Sequence, residues 1–207
     1  MSRALVAACV LSALLLLAFD PAGAAAQRAS RSGFWMEAAR GTGTVRNTCS
    51  DCPNVTSAYG AANYLRAGVR LSSTRVLLGL ELFALSSSDL TLLKGAPPVD
   101  AENGTFGPLV MWYFGDSGLY LRGGAGLSRG TYTVRPLTGG TTTVKRTGSA
   151  LSFGAGFDVG VASWLAITAD IGTYIASVGD VTIDDSLPTV DDVIATVYQA
   201  SVGLALR

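Results

Sequence analysis

The chain has 207 residues, with 15 basic and 15 acidic side chains and no formal net charge. That balance excludes the basic stripe a nucleic-acid binder needs. The lack of any histidine removes Ser-His-Asp and Cys-His catalytic pairs, histidine-containing zinc sites and the usual proton shuttle. Hydrophobic residues make up 49% of the chain, too many for disorder, and 25 glycines interrupt it too often for a bundle of membrane helices.

Residues 1–26 have the form of a secretory leader. Arg3 supplies the positive start, an apolar run of 16 residues extends from Ala4 to Phe19, and Asp20 and Pro21 end it. Ala24-Ala25-Ala26 then offers a small-residue cleavage site before Gln27. The run is shorter than the ~20 residues of a spanning helix. Val6-Ala7-Ala8-Cys9 looks like an acylation box but stands too early in the apolar stretch. The expected organisation is a leader over 1–26 and one exported domain over 27–207.

The exported part alternates with period two, the signature of strands with two different faces. Residues 34–40 set Phe34, Met36 and Ala38 against Glu37. Residues 59–71 set Leu65, Ala67, Val69 and Leu71 against Tyr64, Arg66, Gly68 and Arg70. From Arg75, Val76, Leu78, Leu80, Leu82 and Ala84 oppose Gly79 and Glu81. Residues 106–114 are apolar on both faces, so their orientation is open. From Leu119, Leu121, Ala125 and Leu127 oppose Tyr120, Arg122, Gly124 and Ser128. From Leu151, Phe153, Phe157, Val159 and Val161 oppose Ser152, Gly154, Gly156 and Asp158. From Leu165, Ile167, Ile171 and Ile175 oppose Thr168, Asp170 and Tyr174. Residues 193–206 set Ile194, Tyr198, Val202 and Leu204 against Gln199, Ser201 and Gly203.

Eight strands result. Short connections near residues 72–74, 116–118 and 162–164 alternate with long polar ones near 42–57, 86–104, 135–146 and 177–192. An up-and-down membrane barrel has this rhythm, with turns at one rim and loops at the other. A soluble lipocalin-like barrel also alternates, but it would carry a solvated polar exterior. Here the less apolar face is rich in glycine, and its charges nearly balance: Glu37, Glu81, Asp158 and Asp170 against Arg66, Arg70 and Arg122. These seven form the expected charge network of a side-chain-filled lumen, since buried charges must be paired. Trp35, Tyr113, Tyr120 and Trp164 lie near the short turns and are the expected interface aromatics. Tyr59, Tyr132 and Tyr174 lie toward the long-loop ends, and Pro108 is expected at a bulge or near the loop end of the fourth strand.

The loops carry three further features. Cys49-Ser50-Asp51-Cys52 is read as a small disulfide, because two cysteines fall short of a zinc site and no helix start is present to activate a thiol. Asp180, Asp184, Asp185, Asp191 and Asp192 make the last connection acidic without calcium-loop spacing. Residues 132–144, with a Gly139-Gly140 turn, suit a hairpin that prolongs the barrel and offers strand edges to a partner.

Segments such as Leu121-Arg122-Gly123-Gly124-Ala125-Gly126-Leu127 and Phe153-Gly154-Ala155-Gly156-Phe157-Asp158-Val159-Gly160 make the chain resemble the small eight-stranded outer-membrane β-barrel proteins, the group around the OmpA membrane domain, OmpX and OmpW. The resemblance covers residues 33–207. Leu204-Ala205-Leu206-Arg207 departs from the aromatic ending common in that group. The resemblance implies an all-β, antiparallel, eight-stranded transmembrane barrel in the bacterial outer membrane, inserted by the barrel assembly machinery and surrounded by lipid. It implies no enzyme activity, cofactor or metal, and a structural or surface role through the long loops. A narrow passage or binding site for small hydrophobic molecules, suggested by Leu109, Met111 and Tyr113, is the alternative. A soluble periplasmic binder ranks below both.

Overall fold

A computed structural model of the protein describes residues 33–48, 57–71, 75–90, 99–115, 117–134, 142–181 and 190–207. The expected leader and its cleavage point lie outside these residues, as do Cys49, Cys52 and Asp184–Asp185 of the acidic connection.

Every regular element among the described residues is a strand: β1 (Phe34–Thr48), β2 (Ser57–Arg70), β3 (Val76–Leu90), β4 (Val99–Tyr113), β5 (Leu119–Val134), β6 (Thr142–Ala162), β7 (Leu165–Val181) and β8 (Val190–Leu206). Each pairs antiparallel with its neighbours in sequence, and β8 returns to β1, so the sheet closes into a barrel with no free edge. The turn between β4 and β5 uses Gly115 and Gly118 at φ of 59° and 87°. Side chains with a Cβ rarely adopt such angles.

The outward face is apolar. Leu80, Leu82, Phe106, Leu121, Phe153, Ile167 and Val202 are all exposed, and Leu127 and Ile171 reach 70% and 63%. A soluble barrel would turn these side chains inward, so the lipocalin-like alternative fails on this observation. The fourth strand, ambiguous from its sequence, turns Phe106, Val110 and Trp112 out and Leu109, Met111 and Tyr113 in.

The strands are longer than their hydrophobic pattern suggests. Much of the sequence expected to be loop is ladder: Thr44 pairs with Tyr59, Ser86 with Glu102, Val134 with Thr142, and Ser177 with Ile194. In these stretches the outward residues are polar, so the apolar stripe that marks a strand disappears although the pairing continues. Pro108 also departs from expectation. It sits within β4, where the β4–β5 ladder has no pair at Gly107 or Pro108, yet the register is the same on either side. Proline lacks the N–H that would donate there, and the β3 side keeps its pair with Leu80.

Candidate functional site

The lumen is filled in three layers. At the short-turn end lies an apolar floor of Trp35, Leu77, Leu109, Met111, Tyr113 and Tyr120. Toward the long loops lies a second apolar cluster that includes Val45, Phe83, Leu85, Val99, Tyr132, Tyr174 and Val197. Phe83 and Tyr174 stack there with ring centres 3.8 Å apart. Between the two stands a layer of charge.

Arg66 from β2 is fully buried at the centre of that layer. Its Nε donates to Glu81 Oε2 at 2.6 Å, its Nη1 to Glu37 Oε1 at 3.2 Å and to Asp170 Oδ2 at 3.3 Å, and its Nη2 to Asp170 Oδ1 at 3.3 Å. The guanidinium also lies 3.6 Å from the centre of the Tyr64 ring. The Tyr64 hydroxyl donates to Glu37 Oε1 at 2.5 Å. Arg122 from β5 approaches the same carboxylates, donating from Nη2 to Asp170 Oδ1 at 2.9 Å and from Nε to Oδ2 at 3.0 Å. Its Nη1 stands 3.6 Å from Glu81 Oε2. Asp170 further accepts from the Tyr120 hydroxyl at 3.0 Å and from Gln199 Nε2 at 2.5 Å. Side chains from β1, β2, β3, β5, β7 and β8 thus meet in one bonded layer across the lumen.

Glycine makes the room. A Cβ at Gly154 or Gly172 would overlap the Arg122 guanidinium, and one at Gly156 would overlap the Tyr120 hydroxyl. These inward glycines of β6 and β7 give the long side chains of β5 space to cross the barrel.

A second, smaller group closes the short-turn rim. The Tyr113 hydroxyl donates to Asp158 Oδ2 at 2.6 Å, Arg207 Nη2 bonds the same oxygen, and Arg207 Nη2 lies 3.2 Å from the Tyr113 oxygen. The Arg207 backbone N–H donates to the Trp164 carbonyl at 3.0 Å, which holds the residue at the rim.

The outer membrane protein beta-barrel domain model matches residues 11–205. The chain belongs to this outer-membrane β-barrel family. It therefore resides in the bacterial outer membrane. Among solved structures, this outer-membrane barrel is similar to Ail, the attachment invasion locus protein of Yersinia pestis, in complex with the heparin analogue sucrose octasulfate. The TM-score is 0.56 at 12% identity, covering 83% of this chain and 98% of Ail. It is also similar to Neisserial surface protein A, with a TM-score of 0.52 at 19% identity, covering 84% of this chain and 97% of that one. At these identities the likeness concerns the fold. No curated protein matches the chain.

The outer-membrane barrel brings together Glu37, Arg66, Glu81, Arg122 and Asp170 of the expected network, and places Asp158 at the rim with Arg207. Arg70 stands apart. It lies four residues nearer the turn than Arg66, roughly 13 Å along the strand, and remains half-buried outside both groups. Arg207, not anticipated, pairs with Asp158. Its signal was parity alone, since it continues the inward series Ser201, Gly203, Ala205. Tyr64 and Gln199 were on the inner face by the same rule but carry no charge to mark them.

Of the expected interface aromatics, only Trp164 faces outward. Trp35, Tyr113 and Tyr120 are buried in the lumen, because each shares the parity of Glu37, Met111 or Arg122 on its own strand. Tyr132 and Tyr174 are also inside. The outward aromatics at the two rims are instead Phe34, Trp112, Phe114 and Trp164 on the turn side, and Tyr59 and Tyr198 on the loop side.

Proposed function

We propose that this barrel is a non-enzymatic outer-membrane scaffold with a closed lumen, whose work is done by the loops and strand extensions it holds above the membrane. The observation that carries this reading is the bonded layer centred on Arg66 and Asp170, with apolar side chains packed above and below it. An eight-stranded barrel is narrow enough for side chains to fill, and this one places bonds across its middle. The lack of histidine supports the non-enzymatic part. The Trp112, Phe114 and Trp164 rim suits a membrane interface, with lipid around the band and the barrel assembly machinery as the insertion route. Four connections emerge at the end opposite the tight turns, where a surface partner would meet them.

Planar-bilayer recordings of the purified, folded protein test this. The expected result is no large, stable conductance. A steady open channel of that kind would overturn the closed lumen.

One observation favours a second reading, a binding site for a small molecule with an apolar body and a polar head. The side-chain amides of Asn47 and Asn103 and the Tyr132 hydroxyl are buried without a hydrogen-bond partner at the loop side of the lumen, beside apolar side chains. Buried polar groups are rarely left unpaired. Saturable binding of a fluorescent fatty acid, lost in Asn103→Leu while the barrel stays folded, would move the assignment to this reading.

A further inference from the structure

The lipid-facing surface has one charged side chain in the wrong place. On β1 the outward residues run Phe34, Met36, Ala38 and then Arg40, which is exposed. Its ladder partners are Asn63 on β2 and Val202 on β8. Val202 has Leu204 and Leu206 on the turn side and Tyr198 on the loop side, all exposed. Two rows above Arg40, Thr44 pairs with Tyr59 and Tyr198, the outward aromatics of the loop side. Arg40 therefore lies between the two aromatic levels. Six residues beyond Phe34 on a strand tilted by about 40° is about 15 Å of depth, in an apolar band about 25 Å tall. Neighbouring strands carry their apolar runs through this level, to Leu82 on β3, Phe106 on β4, Leu127 on β5 and Leu151 on β6. Among the described residues, Arg40 is the one outward charge between the aromatic levels.

A lipid-exposed arginine is costliest near the bilayer middle. Two features of its surroundings bear on this. Small side chains stand among its outward neighbours, Ala38, Ala61 and Ala200, next to the larger Leu65, Val202 and Leu204. The polar acceptors are also here, in exposed Asn63 and in Thr42 and Thr44. Small residues let two membrane surfaces approach closely, and polar groups then bond across the contact.

We propose that this β8–β1–β2 face is a homodimer interface within the membrane, where Arg40 of each copy is covered by the amide and hydroxyl oxygens of Asn63 and Thr42 on the other. A two-fold contact uses the same patch twice, and this patch contains both the donor and its acceptors. On the opposite wall the outward polar and charged residues, Ser149, Arg129 and Thr147, begin only at the level of Leu127 and continue toward the loops.

Sedimentation equilibrium of the full, folded chain in density-matched zwitterionic micelles tests the proposal, with folding checked by heat-modifiable gel migration. The expected result is a reversible dimer. Arg40→Leu, which places an apolar side chain toward lipid, should weaken it at least tenfold, and so should Ala200→Trp, which blocks close approach. Leu127→Ala on the opposite wall should leave it unchanged. A wild-type monomer at every concentration overturns the proposal, as does a dimer indifferent to both Arg40→Leu and Ala200→Trp. A monomer that retains phosphorylated glycolipid through purification, and loses it in Arg40→Leu, overturns it in favour of a lipid phosphate on Arg40.

Discussion

The membrane part of the barrel and its loop-side extension are made from the same strands with the same inward and outward parity, yet their chemistry is reversed. On β3, Leu78, Leu80 and Leu82 point out while Glu81 points in; a few residues on, Ser86 and Ser88 point out while Leu85 points in. On β6, Leu151 and Phe153 point out in the band, whereas Lys145, Thr147 and Ser149 point out beyond it. The medium outside decides the pattern. Lipid gives no hydrophobic reason to hide leucine, so the interior is free to hold a bonded charge layer. Water does give that reason, so the extension packs Val45, Leu85, Val99 and Val197 inside like a soluble barrel.

The largest expected break of this contrast comes from the charge layer. Asp170→Ala removes the carboxylate that Arg66, Arg122, Tyr120 and Gln199 share and leaves two guanidiniums under-compensated in a closed lumen. Loss of one partner of a buried ion pair costs about 3–5 kcal/mol. Urea unfolding from lipid vesicles should show a loss of unfolding free energy of that size; a loss near zero would mean that water already reaches the layer. In the extension the equivalent test is an apolar truncation. Leu85→Ala should cost about 2–5 kcal/mol, as in a soluble core, measured by the same titration.

The outward faces sharpen the comparison. Ile171→Arg places a charge against lipid and should cost about 2–4 kcal/mol. Thr131→Arg, outward on the extension, should stay within about 0.5 kcal/mol. Equal penalties at the two sites would remove the boundary between the regions. A smaller loss than at Ile171 is expected at the rim: Tyr113→Phe forfeits one hydrogen bond to the Asp158 carboxylate, worth about 1.5–3 kcal/mol at most. Arg207 remains bonded to that carboxylate, so the loss should fall at the low end of that range when followed by tryptophan fluorescence.

Sequence periodicity was most legible where the medium is lipid. Ile167, Ala169 and Ile171 against Thr168 and Asp170 mark both faces of β7 unmistakably. Periodicity failed in the extension, where Arg46 and Thr48 of β1 look like loop because their strand faces water and its inward partners are sparse. The candidate site shows the same division. Parity selects the inward charges, but it cannot say which of them meet. Arg70 and Arg66 share a face and differ only in depth, and depth decides that Arg66 joins the layer. Nearness to the turns points Trp35, Tyr113 and Tyr120 to the membrane interface, but parity on their own strands directs them inward.

The amino-acid order by itself determined the strand count, the alternation of short and long connections, and the outward apolar face, because each follows from local spacing along one strand. Closure of the barrel decided the rest. Only closure brings Asp170 on β7 against Arg66 on β2 and Arg207 against Asp158, since these contacts depend on register and depth accumulated around eight strands and no single strand encodes them.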